Sequence, residues 1–277
     1  MARNTELMPS FSNVRAGDTA TLAFPLGKTY DSLHIPYAGV TLAQLKNPRI
    51  EVNGQPLMSW RDGTVIDSLN KRLGHNVEDG ILDIHFKRSE LKTLMEQRMF
   101  GLGTASYAPD GTPYPSPISG VNLLVDIDQA ATNPVLTATA LKSNAAPIGT
   151  VTKVRSFPVS INPGDNTIDN ITRNDTASIA AIHLFTSATI EEMAVYMDQV
   201  RTFFGKTSII EKIQRDHGRA PQAGCYSADF VLDGDMLQAL TLKGLQDFRF
   251  NFKAADATPA ATAGMVYVEY FDNWLGI

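Results

Sequence analysis

Thr64-Val65-Ile66-Asp67-Ser68-Leu69, closed by Gly74, returns 144 positions later as Ser208-Ile209-Ile210-Glu211-Lys212-Ile213, closed by Gly218. Each copy reads as a short helix. A hydroxyl N-cap candidate (Thr64, Ser208) precedes an apolar stripe, and a glycine follows where left-handed backbone ends helices. Ser208 with Glu211 has capping-box spacing, and Thr64 with Asp67 is a weaker version. Working outward, other pairs recur in the same order. Trp60 answers to Phe204, Leu33-His34-Ile35 to Ile182-His183-Leu184, and Phe24-Pro25-Leu26 to Phe157-Pro158-Val159. Asp83…Ser89-x-Leu91 answers to Asp229…Asp235-x-Leu237, and Val121-x-Leu123-x-Val125 to Val266-x-Val268-x-Tyr270. Ordered pairs of this kind read as tandem duplication of one domain. A repeat this long is not a solenoid, whose units run to about 20–50 residues. The small-residue stretch Ser143–Gly149 suits a linker, giving domains 1–146 and 147–277.

Within each half the local pattern is the short strand. Thr21–Phe24, Leu33–Ile35, Arg49–Val52, Leu82–Phe86, Val121–Val125 and Met265–Tyr270 are period-2 runs bounded by turn residues. Asn53-Gly54 is a hairpin signal, because a type I′ turn needs positive φ at both central residues. Glu191–Phe204 fits either a helix or a hairpin at Asp198-Gln199. The repeat sets it opposite the Asn53-Gly54 hairpin, which favours the hairpin. Helices are expected over Thr64–Leu73, Ser89–Phe100 and Ser208–His217, and from Asp235 toward Gln246. The Ser89–Phe100 helix would align Leu91, Leu94, Met95 and Met99. The fold class is therefore all-β: two tandem jelly-roll sandwiches with a few short helices in loops, an architecture that hides most strand edges.

Composition narrows the function. The 277 residues carry 24 Lys+Arg against 29 Asp+Glu, a formal charge of −5, which disfavours direct binding of nucleic acid or of an anionic membrane. One cysteine, Cys225, excludes an intrachain disulfide framework or a multi-cysteine metal site. Met1–Phe11 carries Arg3 and Glu6 without an apolar core, so no secretory signal is expected there, and no run reaches the length of a membrane span.

Motifs for catalysis are weak. His34, His75, His85, His183 and His217 are scattered without metal-ligand spacing. His34 and His183, at matching strand positions, read as structural, His85 as solvent-facing, and His217 as a helix C-terminal residue suited to the dipole. Gly101-Leu102-Gly103-Thr104 lacks the lysine of a phosphate loop and reads as a helix-terminating loop. Cys225 has no nearby base in sequence and reads as a buried or edge-strand thiol. Asp126 and Asp128 point to one side of a strand; they read as a solvated strand end, or could share calcium with further oxygens from loops or a neighbouring chain. Asp233-Gly234-Asp235 is explained by helix capping. The prolines of Pro109–Pro117 exclude a central strand and imply an exposed loop.

Several stretches resemble the corticovirus-type major capsid protein. In the first half they are Lys28-Thr29-Tyr30, Tyr37–Thr41, Gln44–Asn47, Arg49–Gly54, Gln97–Thr104 and Asp126-Ile127-Asp128. In the second they are Ile179–His183, Asp229–Asp235 and Val268-Glu269-Tyr270. The likeness departs at Tyr107–Pro117, an apparent insertion, and around Val151–Arg173, read as loop. The resemblance implies a double jelly-roll coat protein of a tailless icosahedral bacteriophage with an internal membrane, non-enzymatic and assembled as a homotrimer. It implies residence in the virion shell, after synthesis in the host cytoplasm. Neighbouring trimers, penton proteins and minor membrane-associated virion proteins are the implied partners, and the internal membrane is met only indirectly. No cofactor is required; calcium associated with such capsids makes Asp126 and Asp128 its candidate ligands. A tandem carbohydrate-binding β-sandwich is the alternative, weakened by two tryptophans for aromatic platforms. A cupin-like enzyme would need clustered histidines.

Overall fold

The computed structural model describes residues 3–276, so Met1, Ala2 and Ile277, at the ends of the expected domains, lie outside the described residues. Internal contacts divide the chain into two units. One runs through Lys71 and resumes over His75–Val154; the other joins Arg72–Gly74 to Arg155 and onward.

Among the described residues the first half contributes eight strands of four residues or more. They are β1 (Asn4–Leu7), β2 (Thr19–Ala23), β3 (Thr29–Ala38), β4 (Leu45–Val52), β5 (Gln55–Ser59), β6 (Ile81–His85), β7 (Val121–Ile127) and β8 (Thr139–Ser143). The second half contributes β9 (Thr150–Ile161), β10 (Gly164–Ile168), β11 (Ser178–Thr186), β12 (Ile190–Met197), β13 (Val200–Lys206), β14 (Cys225–Asp229), β15 (Phe248–Ala254) and β16 (Thr262–Asn273). In the first half the strands lie in the orders β1-β8-β3-β6 and β2-β7-β4-β5. In the second the orders are β9-β16-β11-β14 and β10-β15-β12-β13. Each strand of the first half thus has a counterpart eight labels later. Both orders place the last strand beside the first, as a jelly roll requires.

The turns repeat as well. Asn53 and Gly54 turn β4 into β5 at φ 51° and 77°, and Asp198 and Gln199 turn β12 into β13 at φ 47° and 68°. The expected second hairpin is therefore formed. Asn53 Oδ1 accepts the backbone N–H groups of Ser119 and Gly120 (2.7 and 3.2 Å), while Asn53 N–H donates to the Gly120 carbonyl. Asp198 Oδ1 accepts those of Gln246 and Asp247 (2.9 and 2.8 Å), and its N–H donates to the Asp247 carbonyl. One side chain in each unit thus pins a hairpin tip to the loop entering β7 or β15.

The offset of 144 holds from β5 through β6: α1 (Gly63–Arg72), Gly74 and β6 correspond to α3 (Thr207–Asp216), Gly218 and β14. Asp83 stands opposite His34, and Ser227 stands opposite His183. The sequence pairing of Asp83 with Asp229 is therefore two residues out of register. Two other sequence pairs do not survive. Phe24 follows β2, whereas Phe157 lies within β9, the counterpart of β1; Val121–Val125 lies in β7, whose counterpart is β15 and not β16. Alternating apolar residues define a strand but not which strand, so matching by pattern slips between neighbours.

Helix boundaries also shift. The N-cap of α1 is Asp62, whose Oδ1 accepts the Thr64 N–H at 3.0 Å, so Thr64 lies inside the helix. The α3 helix starts after Lys206 without a side-chain cap, and the Ser208–Glu211 box is not formed. The helix expected over Ser89–Phe100 contracts to α2 (Leu94–Met99), capped by Thr93. Its apolar stripe splits: Leu91 is buried in a turn closed on the Arg88 carbonyl, while Leu94, Met95 and Met99 are exposed. Asp235 caps only the 3₁₀ turn Met236–Gln238. The stretch 151–173, expected as loop, is mostly the strands β9 and β10.

The excursion at 107–117 is exposed, as its prolines require, and closes on itself. Tyr114 N–H donates to the Ser106 carbonyl (2.9 Å), Ala108 N–H to Thr112 (2.8 Å), and the Ser106 hydroxyl to Ile118 (3.1 Å).

Each unit has its own core. In the first, Leu22, Leu33, Ile35, Ile50, Ile84 and Leu123 are buried. In the second, Ile182, Leu184, Val195, Phe250, Phe252 and Val268 form the centre. Burial of each such side chain stabilises by about 1.5–3 kcal/mol. β7 and β15 alternate buried and open residues, whereas β11 is buried almost throughout. Continuous burial of that kind marks a strand covered on both faces.

Candidate assembly surface and buried polar centres

The two proposed calcium ligands stand in different local settings. Asp126, on the open face of β7, accepts the Thr19 hydroxyl (2.7 Å) and Asn47 Nδ2 (3.0 Å), with Arg49 Nη1 at 3.4 Å. Partial burial works to raise its pKa, but the hydrogen bonds from Asn47 and Thr19 and the Arg49 charge outweigh this and leave it below the ordinary value. Asp128 lies just beyond β7, where its carboxylate accepts the Ala130 N–H at 2.9 Å and fastens a turn. Among the described residues no group of three or more His, Cys, Asp or Glu side chains is arranged to hold a metal ion.

Three of the five histidines, scattered in sequence, meet in the first unit. His34 lies between Asp83 (2.6 Å) and the Ser32 hydroxyl (2.9 Å), and the Asp83 hydrogen bond raises its pKa against partial burial. His85, expected to face solvent, is stacked on His75 with centroids 4.0 Å apart and stands edge-on to His34 at 6.1 Å. Burial, with the neighbouring His75, drives His85 down to about 4. The alternation along β6 does turn His85 away from the core, but the segment after α1 brings His75 over it. Strand periodicity cannot show such a cover. In the second unit His183 is fully buried, with Nδ1 on the Ser227 hydroxyl (2.8 Å) and Nε2 3.5 Å from Glu269; burial lowers its pKa. His217 reaches the Ile213 carbonyl at 2.8 Å, capping α3 as its position suggested.

A buried ion centre in the second unit had no signal in the sequence. Asp229 Oδ2 accepts Arg72 Nη2 at 2.6 Å and Arg219 Nε at 3.0 Å, and all three residues are buried. Burial of Asp229 acts to raise its pKa, but the two guanidiniums outweigh it and hold the carboxyl below the ordinary range. Ala220 N–H donates to the Arg72 carbonyl at 2.8 Å, so Arg72 is held through both its side chain and its backbone within the second unit. Cys225 is buried at the start of β14, the strand that carries Asp229, and burial pushes its thiol up to about 11, which suppresses the nucleophilic thiolate. The Gly101–Thr104 stretch serves packing. A Cβ on Gly103 would stand 2.2 Å from the Pro147 carbonyl, and Thr104 Oγ1 accepts the Gly27 N–H at 2.9 Å and donates to the Lys28 carbonyl at 2.7 Å. What the surface offers is apolar: Leu94, Met95, Phe204, Ile209 and Leu237 are large exposed side chains of the kind that mediate association.

Comparison with known proteins agrees with this arrangement. Residues 5–145 match the family described as viral coat protein P2 N-terminal domain, and residues 151–274 match viral coat protein P2 C-terminal domain. The chain belongs to the viral coat protein P2 family. Major capsid protein P2 of Pseudoalteromonas phage PM2 is 30% identical over 276 residues, covering 96% of this chain and 95% of that one. Its crystal structure superposes with a TM-score of 0.89, covering 99% of this chain and 98% of that one. The STIV MCP matches with a TM-score of 0.69 at 9% identity, covering 99% and 98% of the two chains. The PBCV-1 virus capsid matches with a TM-score of 0.63 at 10% identity, covering 100% and 96%. At such identities these two matches bear on fold alone. This coat protein is a double jelly-roll major capsid protein, a structural component of the virion shell and not an enzyme. Family membership sets aside the carbohydrate-binding and cupin readings.

Proposed function

We propose that three copies of this coat protein close into a homotrimer whose six similar barrels give a nearly sixfold outline, the tile of an icosahedral facet. The observation that carries this reading is the identical strand order of the two units, which supplies two near-equivalent edges per chain. A heterologous contact between such edges closes into a ring when its rotation permits. Neighbouring trimers then meet through similar edges, and loops such as 107–117 adapt to each lattice position. Penton proteins and minor membrane-associated virion proteins complete the shell, which meets the internal membrane only through them. With −5 charges per chain, the trimer repels a nucleic acid surface. Calcium enters as a ligand between chains, with Asp126 and Asp128 supplying carboxylates and a neighbouring chain the remaining oxygens of a six- to eight-coordinate ion.

Light scattering of the purified chain at micromolar concentration tests the trimer. The expected mass is three times 30.2 kDa, and a lone 30.2 kDa species overturns the reading. EDTA is expected to loosen the assembled shell more than the isolated trimer. A shell equally stable in chelator removes calcium from the proposal.

A further inference from the structure

Counterpart residues of the two units differ in one consistent way. Along the segment of constant offset, Trp60, Val65 and Leu69 are 7%, 1% and 7% exposed. Their counterparts Phe204, Ile209 and Ile213 are 51%, 56% and 40% exposed. Composition does not explain the contrast, since every one of these positions holds a large apolar side chain. Poor seating of α3 does not explain it either. Ile66 and Ile210 are both buried, and a Cβ on Gly205 would stand only 2.9 Å from Ile210 Cγ1, so α3 presses closely onto β13. The α1 face is covered by this chain's own residues, and the matching α3 face is left bare.

The bare face has the anatomy of an interface. Ile209 and Ile213, one turn apart on α3, form its centre. Charge flanks them on the same helix, where Arg215 pairs with Glu211 at 2.9 Å. Large apolar anchors beside charged groups are what a specific protein contact uses.

We propose that this face of α3, centred on Ile209 and Ile213, is where a second copy of the chain docks. The proposal rests on the self-assembly reading above and assigns its contact surface. The occupant follows from the duplication. The chain already carries a surface that covers an apolar helix face of this pattern, and a second copy brings that surface to α3. Each copy covering the α3 face of the next makes a heterologous contact that ends only when the ring closes.

The test is light scattering with the full chain, comparing wild type with Ile209→Asp and Ile213→Asp. Leu237→Asp, at a still more open apolar residue on the separate 3₁₀ turn Met236–Gln238, is the control. Both α3 variants replace exposed side chains and should melt like wild type; Ile213→Ser is a milder third variant. The expected result is a trimeric wild type and control, with the concentration for half-assembly raised about a hundredfold in the α3 variants. Trimers in all variants at wild-type concentrations overturn this contact surface while leaving the trimer reading intact. A monomeric wild type overturns the trimer reading itself, and this proposal with it.

Discussion

Asp229→Ala is the substitution that most directly tests the account of the second unit. The carboxylate neutralises two buried guanidiniums, Arg72 at 2.6 Å and Arg219 at 3.0 Å, and also accepts the Val231 N–H at 3.0 Å. Its removal leaves two like charges facing each other away from water and orphans a backbone donor. Breaking one buried pair typically costs about 3–5 kcal/mol because the surviving charge is uncompensated. At about 2–4 °C for each kcal/mol in a protein of this size, the expected fall in melting temperature is about 10 °C by calorimetry. A companion variant separates lost attraction from stranded charge. Replacing Arg72 and Arg219 by Met together with Asp229→Leu leaves no charge to strand, and most of the loss should return. The pH dependence has a definite sign. The Asp229 pKa is lowered in the fold, so its contribution is present above the unfolded value near 3.9 and is lost as pH falls through the folded value. A fall of less than about 2 °C for Asp229→Ala would refute the claim that this centre holds the unit together.

The paired hairpin locks predict matched effects: Asn53→Ala and Asp198→Ala should each cost about 1–2 kcal/mol in urea unfolding, since each frees two backbone donors and strains a positive φ. A loss confined to one of them would mean the locks are not equivalent. Below pH 6.5 the unfolded chain protonates His85 before the native state does, so stability should fall by about 3 kcal/mol on going down to about pH 4. His34 acts in the opposite sense, so comparison with His85→Gln isolates the stacked ring, and an unchanged acid slope in that variant would exclude the mechanism.

The duplication was legible because the segment from α1 to β14's counterpart kept its length. Glycine at 74 and 218 and apolar residues at 65, 66 and 69 are rare enough in combination to fix an offset. Strand identity was less legible. A period-2 run such as Val121–Val125 fits any half-buried strand, and only hydrogen-bond register tells β15 from β16. The polar centres were illegible for a different reason. Arg72 and Asp229 are 157 residues apart, and His75 covers His85 through an irregular segment. Neither relation leaves a periodic trace. The apolar stripe of α2 misled because hydrophobic spacing records a face without saying whether this chain or another will cover it.

The pinched base of the 107–117 excursion has a consequence for how such a coat diversifies. Its stem is fastened at Ser106, Tyr114 and Ile118, and a Cβ on Gly111 at the tip would meet nothing within 4 Å. Residues added at that tip lengthen a loop whose ends are already joined, and the entropic penalty grows only with the logarithm of length. The excursion can therefore change in size from one relative to the next, or accept a foreign peptide, while the strands of both units keep their sequence.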